Sequence, residues 1–320
     1  MSVDQIIQPI TAALAQTDIV ITGAMRSDIP LIREINQHIS QGGKRIRPIT
    51  SLLIAGLLGD ITEQHILIAA VIEFVHTATL LHDDVVDQST LRRGLATANQ
   101  IWGNEASVLV GDFLYSRAFQ LMTQFHDQGL MQILADASNV MAEGEVLQLM
   151  NKHNATLDQT TYDRIIHAKT AVLFQAACQM SAASSLANIE TVRNMGEVGR
   201  HLGMAFQLVD DALDYHGDTQ ALGKNIGDDI AEGKLTLPLI YTLSVASGED
   251  KAIINTAVTT GVSDLKQLIT LIERYEATQY TLRIAQHHAQ QAQQAIASFM
   301  DSPYKKSLLA LIEFVVNRQN

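Results

Sequence analysis

The sequence predicts an all-α chain, and three observations carry that reading. Only 5 prolines and 19 glycines punctuate 320 residues, and stretches free of both run through 62–93, 145–194 and 263–301. Within them apolar residues recur at intervals of three and four, as Val71, Phe74, Val75 and Ala78 do, which lays a stripe along one helix face. No run alternates apolar and polar residues between turn signals as a half-buried strand would. Abundant Ala and Leu add helix propensity.

Taken in order, the first helix is expected over Ile6–Ala15, then a loop at Gly23 and a helix from about Asp28 to Ser40. Gly42-Gly43 ends that helix, and Pro48 suits the first turn of the next. Later breaks are expected near Gly59-Asp60, Gly94, Gly103, Gly129, Asn154–Asp158 and Gly217–Gly233. Gly248, Gly261 and Asp301–Pro303 mark shorter C-terminal elements. No low-complexity linker or fixed-period repeat divides the chain, so residues 1–320 read as one domain, a bundle of more than four helices.

Composition narrows the function classes. The most apolar stretch, Ile66–Leu81, contains Glu73 and His76 and reads as a buried core helix instead of a membrane span. No basic segment followed by an apolar one opens the chain, so no signal peptide is expected. The single cysteine, Cys178, rules out an intrachain disulfide framework and fits a reducing, cytoplasmic setting. A net charge of −12 argues against nucleic acid as a partner. It leaves room for a small anion wherever local cations or metal ions reverse the field.

Two acidic strings carry the chemistry. HDDVVD places Asp83, Asp84 and Asp87 at i, i+1 and i+4, near one face of a helix. FQLVDDALD places Asp210, Asp211 and Asp214 at the same spacing, again after an apolar run. Three carboxylates in apolar surroundings repel unless cations lie between them. Two such clusters form a site for a hard, oxygen-seeking ion such as Mg²⁺, held by few carboxylates and completed by water and phosphate oxygens. The plainer reading of either cluster alone is a solvated helix end. Cations are grouped nearby in sequence: Lys44, Arg45 and Arg47 in GGKRIRP, then Arg92 and Arg93, with Lys169, Lys224 and Lys234 isolated. Arginine grips phosphate oxygens in pairs and lysine acts as a point charge. Glu73 and His76 form an ExxH spacing used in di-iron bundles, but no second copy exists, so that reading is set aside. His82 reads as a supporting group or a plain helix residue.

LLHDDVVDQSTLRRGLATAN closely resembles the first aspartate-rich motif of the polyprenyl diphosphate synthases, and FQLVDDALDY their second. GKNIGDDIAEGKLTLPLI resembles the segment that follows, and GGKRIRP the N-terminal substrate loop, so the likeness spans roughly residues 40–240. It is nearest to the bacterial octaprenyl and nonaprenyl diphosphate synthases. The resemblance implies an isoprenoid-synthase fold, an antiparallel helical bundle around a central cavity in each subunit of a homodimer. It implies that Asp83, Asp84, Asp87, Asp210, Asp211 and Asp214 hold Mg²⁺, about three ions once substrate is bound, with Asp210 the main ligand of the second cluster. Arg92, Lys169, Thr170, Gln207, Lys224 and Lys234 would bind the allylic diphosphate, with Asp228 and Asp229 as supporting groups. Lys44, Arg47, His76 and Arg93 would bind isopentenyl diphosphate. Asp83, Asp84, Asp87, Arg92, Lys169, Asp210 and Lys224 are then the catalytic set. Leu235 departs from the proline common in long-chain members.

Such an enzyme condenses the two diphosphates into a longer all-trans chain. Small or moderate residues ahead of Asp83, namely Val75, Ala78 and Thr79, leave room for a growing tail, so a C40 or C45 product for a quinone side chain is expected. Phe119, Met122 and Met141 are candidates for the tunnel floor. The apolar product suggests passing contact with a membrane. The alternatives are a short-chain synthase, a non-catalytic subunit of a heteromeric synthase, a terpene cyclase of the same fold, and a structural helical protein with solvated charges.

Overall fold

The computed structural model describes residues 3–40, 43–125, 127–215, 227–261 and 264–318. Lys224 and Gly42 lie outside them, as does the side chain of Asp228. The N-terminal helices are α1 (Val3–Ile7), α2 (Thr11–Ala24), α3 (Pro30–Ile39) and α4 (Ile46–Leu58), followed by the long α5 (Glu63–Val86). A short hairpin of β1 (Leu91–Arg92) and β2 (Leu95–Ala96) leads to α6 (Ala98–Trp102), α7 (Asn104–Met122) and α8 (Gln128–Met150). Then come α9 (Gln159–Ile166), a π-helical turn (His167–Ala171), α10 (Val172–Ser184) and α11 (Ile189–Leu213). The C-terminal part holds α12 (Asp228–Ala231), α13 (Leu237–Val245), α14 (Gly248–Thr260), α15 (Leu265–Arg274), α16 (Ala277–Ala295) and α17 (Pro303–Asn317).

The all-α expectation holds, with local corrections. The first helix does not run over Ile6–Ala15: Pro9 sits in a 3₁₀ turn, Gln8–Ile10, and α2 continues past it and through Gly23. Proline's missing N–H and fixed φ account for the break. Gly129 lies in the first turn of α8, capped by the Asp127 carboxylate, which accepts from the Gly129 amide at 2.7 Å. Two further breaks, which no glycine or proline announces, fall at Leu186 and Glu276, both of which take positive φ at the ends of α10 and α15. The strand pair, which no alternation announces, is a tight hairpin whose two central residues, Arg93 and Gly94, both have positive φ. That is the primed turn that fits the twist of paired strands.

Three apolar clusters fill the bundle. One joins α5, α7, α8 and α10, a second joins α9, the end of α11 and α13–α16, and a third joins α4, α10, α11, α16 and α17. The 24 residues of α5 are long and apolar enough to cross a membrane, yet 67% of their most apolar window is buried inside the fold. This is the core helix expected of Ile66–Leu81. The most extensive helix–helix contact is between α10 and α11. A β-carbon at Gly199 would overlap the carbonyl oxygen of Phe174, and one at Gly203 would overlap the backbone of Ala171. The two backbones therefore touch, and this sets Gln207 and the Asp210–Asp214 end of α11 against the π-helical turn.

Gly199→Ala is expected to cost about 2 kcal/mol or more, because the oxygen it meets belongs to the backbone and cannot rotate away. Gly23→Ala, with open space around it, is expected to be neutral or to stabilise by about 0.5 kcal/mol. Urea unfolding of both variants checks the pair.

Candidate active site

Both acidic clusters stand at the C-terminal ends of helices. Asp83 and Asp84 lie in the last turn of α5, with Asp87 as its C-cap; Asp210 and Asp211 lie in the last turn of α11, with Asp214 as its C-cap. The C-terminus is the negative pole of a helix, where carboxylates are disfavoured and cations favoured. Each cluster therefore calls for positive charge.

In the first cluster that charge comes from four separate segments. Arg92 of β1 directs Nε and Nη2 to Asp84 Oδ1 at 2.8 and 2.7 Å, and Asp84 is only 3% exposed. Lys234, ahead of α13, lies 2.6 Å from Asp87 Oδ2, and Lys152, in the turn after α8, lies 3.2 Å from Asp87 Oδ1. Burial alone would raise the pKa of Asp87. Lys234, then Lys169 and Lys152, outweigh it and hold the carboxyl below its usual range. Lys169 of the π-helical turn lies 3.8 Å from Asp83 Oδ2 and 3.0 Å from Glu145 Oε1. Burial pushes Asp83 up to about 6, against the pull of Lys169.

The second cluster is organised differently. Arg318, just past α17, lies 2.7 Å from Asp210 Oδ1, donates to the Phe206 carbonyl at 2.7 Å, and stacks 3.9 Å from the centre of the Phe206 ring. Asp211 is buried, with one oxygen accepting from the Tyr162 hydroxyl and the other from Gln207 Nε2 at 2.8 Å. Gln207 in turn accepts from Thr170 at 2.7 Å. Burial first, then the charge of Asp229, pushes Asp211 up to about 7. The two clusters meet through consecutive residues: Lys169 serves the first and Thr170 the second. The π-helical turn that presents them is a feature often found at functional positions. Asp229 also faces Lys234, whose pKa its charge raises together with that of Asp87, against the effect of burial.

A third group gathers where α4 meets α5. Arg47 is half-buried, lies 3.1 Å from His76 Nε2, and stacks 4.5 Å from the centre of the Phe174 ring. Burial lowers Arg47 to about 10, opposed mainly by Glu73. His76 is held well below its ordinary value by burial and then by Arg47. It is neutral, and its Nε2 accepts from the guanidinium. The Lys44 pKa is lowered by burial and by Arg318, and raised by Asp210. The Arg93 guanidinium comes so near Gly43 that a β-carbon there would lie 3.2 Å from Nη1.

Beside the first cluster opens a cavity of about 580 Å³. Asp83, Glu145 and Lys169 line it beside the first cluster, with His82 and Asp112 also polar, and Tyr115, Phe119 and Met141 are among its apolar walls. Its sides are α5, α7 and α8. Thr79 lines it, while Val75 and Ala78 are buried in the core and are not part of its lining. Of the three floor candidates, Phe119 and Met141 line it and Met122 is buried in the core. His82 packs under α7, with Nε2 3.2 Å from the Val108 carbonyl oxygen.

The structure thus brings together Asp83, Asp84, Asp87, Arg92, Lys169 and Lys234 on one side, Thr170, Gln207, Asp210 and Asp211 on another, and Lys44, Arg47, His76 and Arg93 at the third. Five residues near these groups were not singled out as site residues: Lys152, Glu145, Tyr162, Arg318 and, set aside with ExxH, Glu73. Lys152 and Arg318 lie 65 and 108 positions from the carboxylates they meet, so only an ion-pair search in space reveals them. Among the described residues, no three His, Cys, Asp or Glu side chains stand close enough to hold a metal by themselves. The donors fit an ion that takes one or two carboxylates and completes its shell with substrate oxygens.

A fold of packed helices with two aspartate clusters, each met by cations and joined through the consecutive residues Lys169 and Thr170, is the setting of a prenyl-transfer scaffold, and the chain belongs to the polyprenyl synthetase family, whose model matches residues 29–274. It is a prenyltransferase. It is 43% identical to the octaprenyl diphosphate synthase of Haemophilus influenzae, over 99% of this chain and 98% of that protein. It is 40% identical to a geranyl-diphosphate-specific all-trans-nonaprenyl-diphosphate synthase of Rhodobacter capsulatus, over 98% and 97%. The structure matches that of a polyprenyl synthase from Caulobacter crescentus complexed with calcium and isoprenyl diphosphate, with a TM-score of 0.96 and 43% identity, over 100% of this chain and 98% of that one.

Asp211 yields a pH prediction. Its folded pKa, about 7, lies above the ordinary 3.8, so it favours folding when protonated, and that contribution is lost as pH rises towards 7. Without divalent metal, the wild type should lose about 1 kcal/mol of unfolding free energy per pH unit from this group between pH 5 and 7. The slope should be shallower in Asp211→Asn. Urea unfolding in EDTA at three pH values measures it.

Proposed function

We propose that this prenyltransferase adds isopentenyl diphosphate repeatedly to an allylic diphosphate such as farnesyl diphosphate. The product would be a long all-trans chain, C40 or C45, for a quinone side chain. The observation that carries this reading is the junction of a carboxylate–cation cluster with an apolar cavity of about 580 Å³. A charged head and an apolar tail fit those two environments. The likeness to octaprenyl and nonaprenyl synthases supports the length.

Asp83, Asp84, Asp87, Asp210, Asp211 and Asp214 are the proposed Mg²⁺ residues. Asp210 is the most accessible of those whose ion pairs or hydrogen bonds are described above, whereas Asp84 and Asp211 are each 3% exposed and already accept hydrogen bonds. Bound Mg²⁺ would neutralise charge on the departing diphosphate. The chain's own part is to hold that group with Arg92, Lys169 and Lys234, and with Lys224 from outside the described residues. Thr170 and Gln207, hydrogen-bonded to each other, would border the reacting carbon. Lys44, Arg47, His76 and Arg93 would hold isopentenyl diphosphate with its double bond towards that carbon. The leaving diphosphate is the proposed base for the proton then lost. The apolar walls exclude water that would quench the cation. Exposed apolar residues on α7 and α8, Leu109 at 67% and Met150 at 76% among them, support a homodimer.

Purified protein given farnesyl diphosphate, labelled isopentenyl diphosphate and Mg²⁺ should yield mainly C40 or C45 chains after dephosphorylation. A product that stops at C15 or C20 would refute the long-chain reading. Thr79→Phe, which fills the cavity about one turn from Asp83, should shorten the dominant product while the first additions continue. An unchanged product ladder would place the tail elsewhere.

A further inference from the structure

We propose that Glu73 is a positioning residue for isopentenyl diphosphate, a buried carboxylate that holds the arginines around that substrate in register. The inference rests on the proposed function and goes beyond it, since the resemblance assigns this residue no role.

Glu73 is 5% exposed, and its Oε1 lies 2.7 Å from Nη1 of Arg45. It precedes His76 by three residues on α5, so both face α4, and His76 meets Arg47 at 3.1 Å. The N-terminal end of α4 is thus docked on α5 by two adjacent contacts, Arg45 to Glu73 and Arg47 to His76. Arg93 enters from the hairpin and shares a small cavity with Glu73, Arg45 and Gly43. Arg45 and Arg93 both have left-handed backbone, with φ of 51° and 53°. For residues other than glycine that conformation is costly and persists where the surroundings enforce it. Arg45 thus pairs with the carboxylate directly, and the hairpin turn holds Arg93 in the same cavity.

The charges explain why a carboxylate is needed there. Arg45, Arg47 and Arg93 are gathered at the buried end of α4, and His76 between them is neutral. Packed guanidinium groups repel, and burial adds a cost for each. Glu73 attracts both Arg47 and Arg93, as their pKa values reflect. One negative charge leaves the group net positive, ready for a diphosphate, while keeping the forks from splaying apart. Arg45, already paired with Glu73 and with Asp18 at 3.3 Å, is the anchor of the group, and Arg47 and Arg93 are the arms that meet substrate.

The sign of a substitution separates this role from simple electrostatics. Glu73→Gln keeps the shape and removes a negative charge near an anion site. If the carboxylate acted only through its field, isopentenyl diphosphate would bind more tightly. If it positions the arginines, binding weakens. We expect the KM for isopentenyl diphosphate to rise at least tenfold, the KM for farnesyl diphosphate to stay within twofold, and Glu73→Asp to recover part of the loss. Calorimetric binding of isopentenyl diphosphate alone should show the same order. Binding by Glu73→Gln as tight as wild type or tighter would overturn the proposal. So would equal weakening for both substrates with a lowered melting temperature, which marks a merely structural residue. Wild-type protein that binds isopentenyl diphosphate but makes no product would instead count against the proposed function.

Discussion

Electrostatic repulsion among carboxylates at the negative ends of two helices is the constraint on which this structure turns. The i, i+1, i+4 aspartates of α5 and α11 add charge where the helix dipole already disfavours it. Neither cluster is stable on its own terms, and each is met by cations from other segments of the chain. Arg92 comes from a two-residue strand, Lys169 from a π-helical turn, Lys152 from an interhelical turn and Arg318 from the chain's end. The same ion pairs that relieve the repulsion in the protein set cationic groups around the space where a diphosphate is proposed to bind.

Packing supplies the precision. The glycines of α11 let it lie on the backbone of α10, which brings Gln207, already bonded to Asp211 one turn on, within a hydrogen bond of Thr170. Phe174 and Phe206 lie 5.8 Å apart between Arg47 and Arg318, each arginine stacked on one of the rings. An apolar core thus holds the basic group and the second acidic cluster at a fixed separation. Along α5, Glu73 and His76 serve the arginines, Thr79 borders the cavity, and Asp83, Asp84 and Asp87 end the helix. One rigid rod of about 36 Å carries parts of three environments.

Much of this was legible in the sequence because the signals are local. Helical period, proline and glycine placement and the aspartate spacing are all written within a few residues, and they led to the all-α class and to the acidic clusters. Departures from expectation have both local and non-local causes, Pro9 breaking the first helix by itself. Leu186 and Glu276 end helices without glycine or proline, and the hairpin is too short to alternate. Val75 and Ala78 occupy the small-residue positions ahead of Asp83, yet their phase on α5 turns them into the core, while Thr79 faces the cavity.

Periodicity and local repulsion need no third dimension, so the helical class, the two carboxylate clusters and the charge types that must answer them follow from the chain read residue by residue. Folding in space assigns which cation meets which carboxylate, engages Asp211 with Tyr162 and sets Glu73 among arginines. Those outcomes depend on burial and on contacts between residues far apart in the chain, and a one-dimensional spacing carries neither.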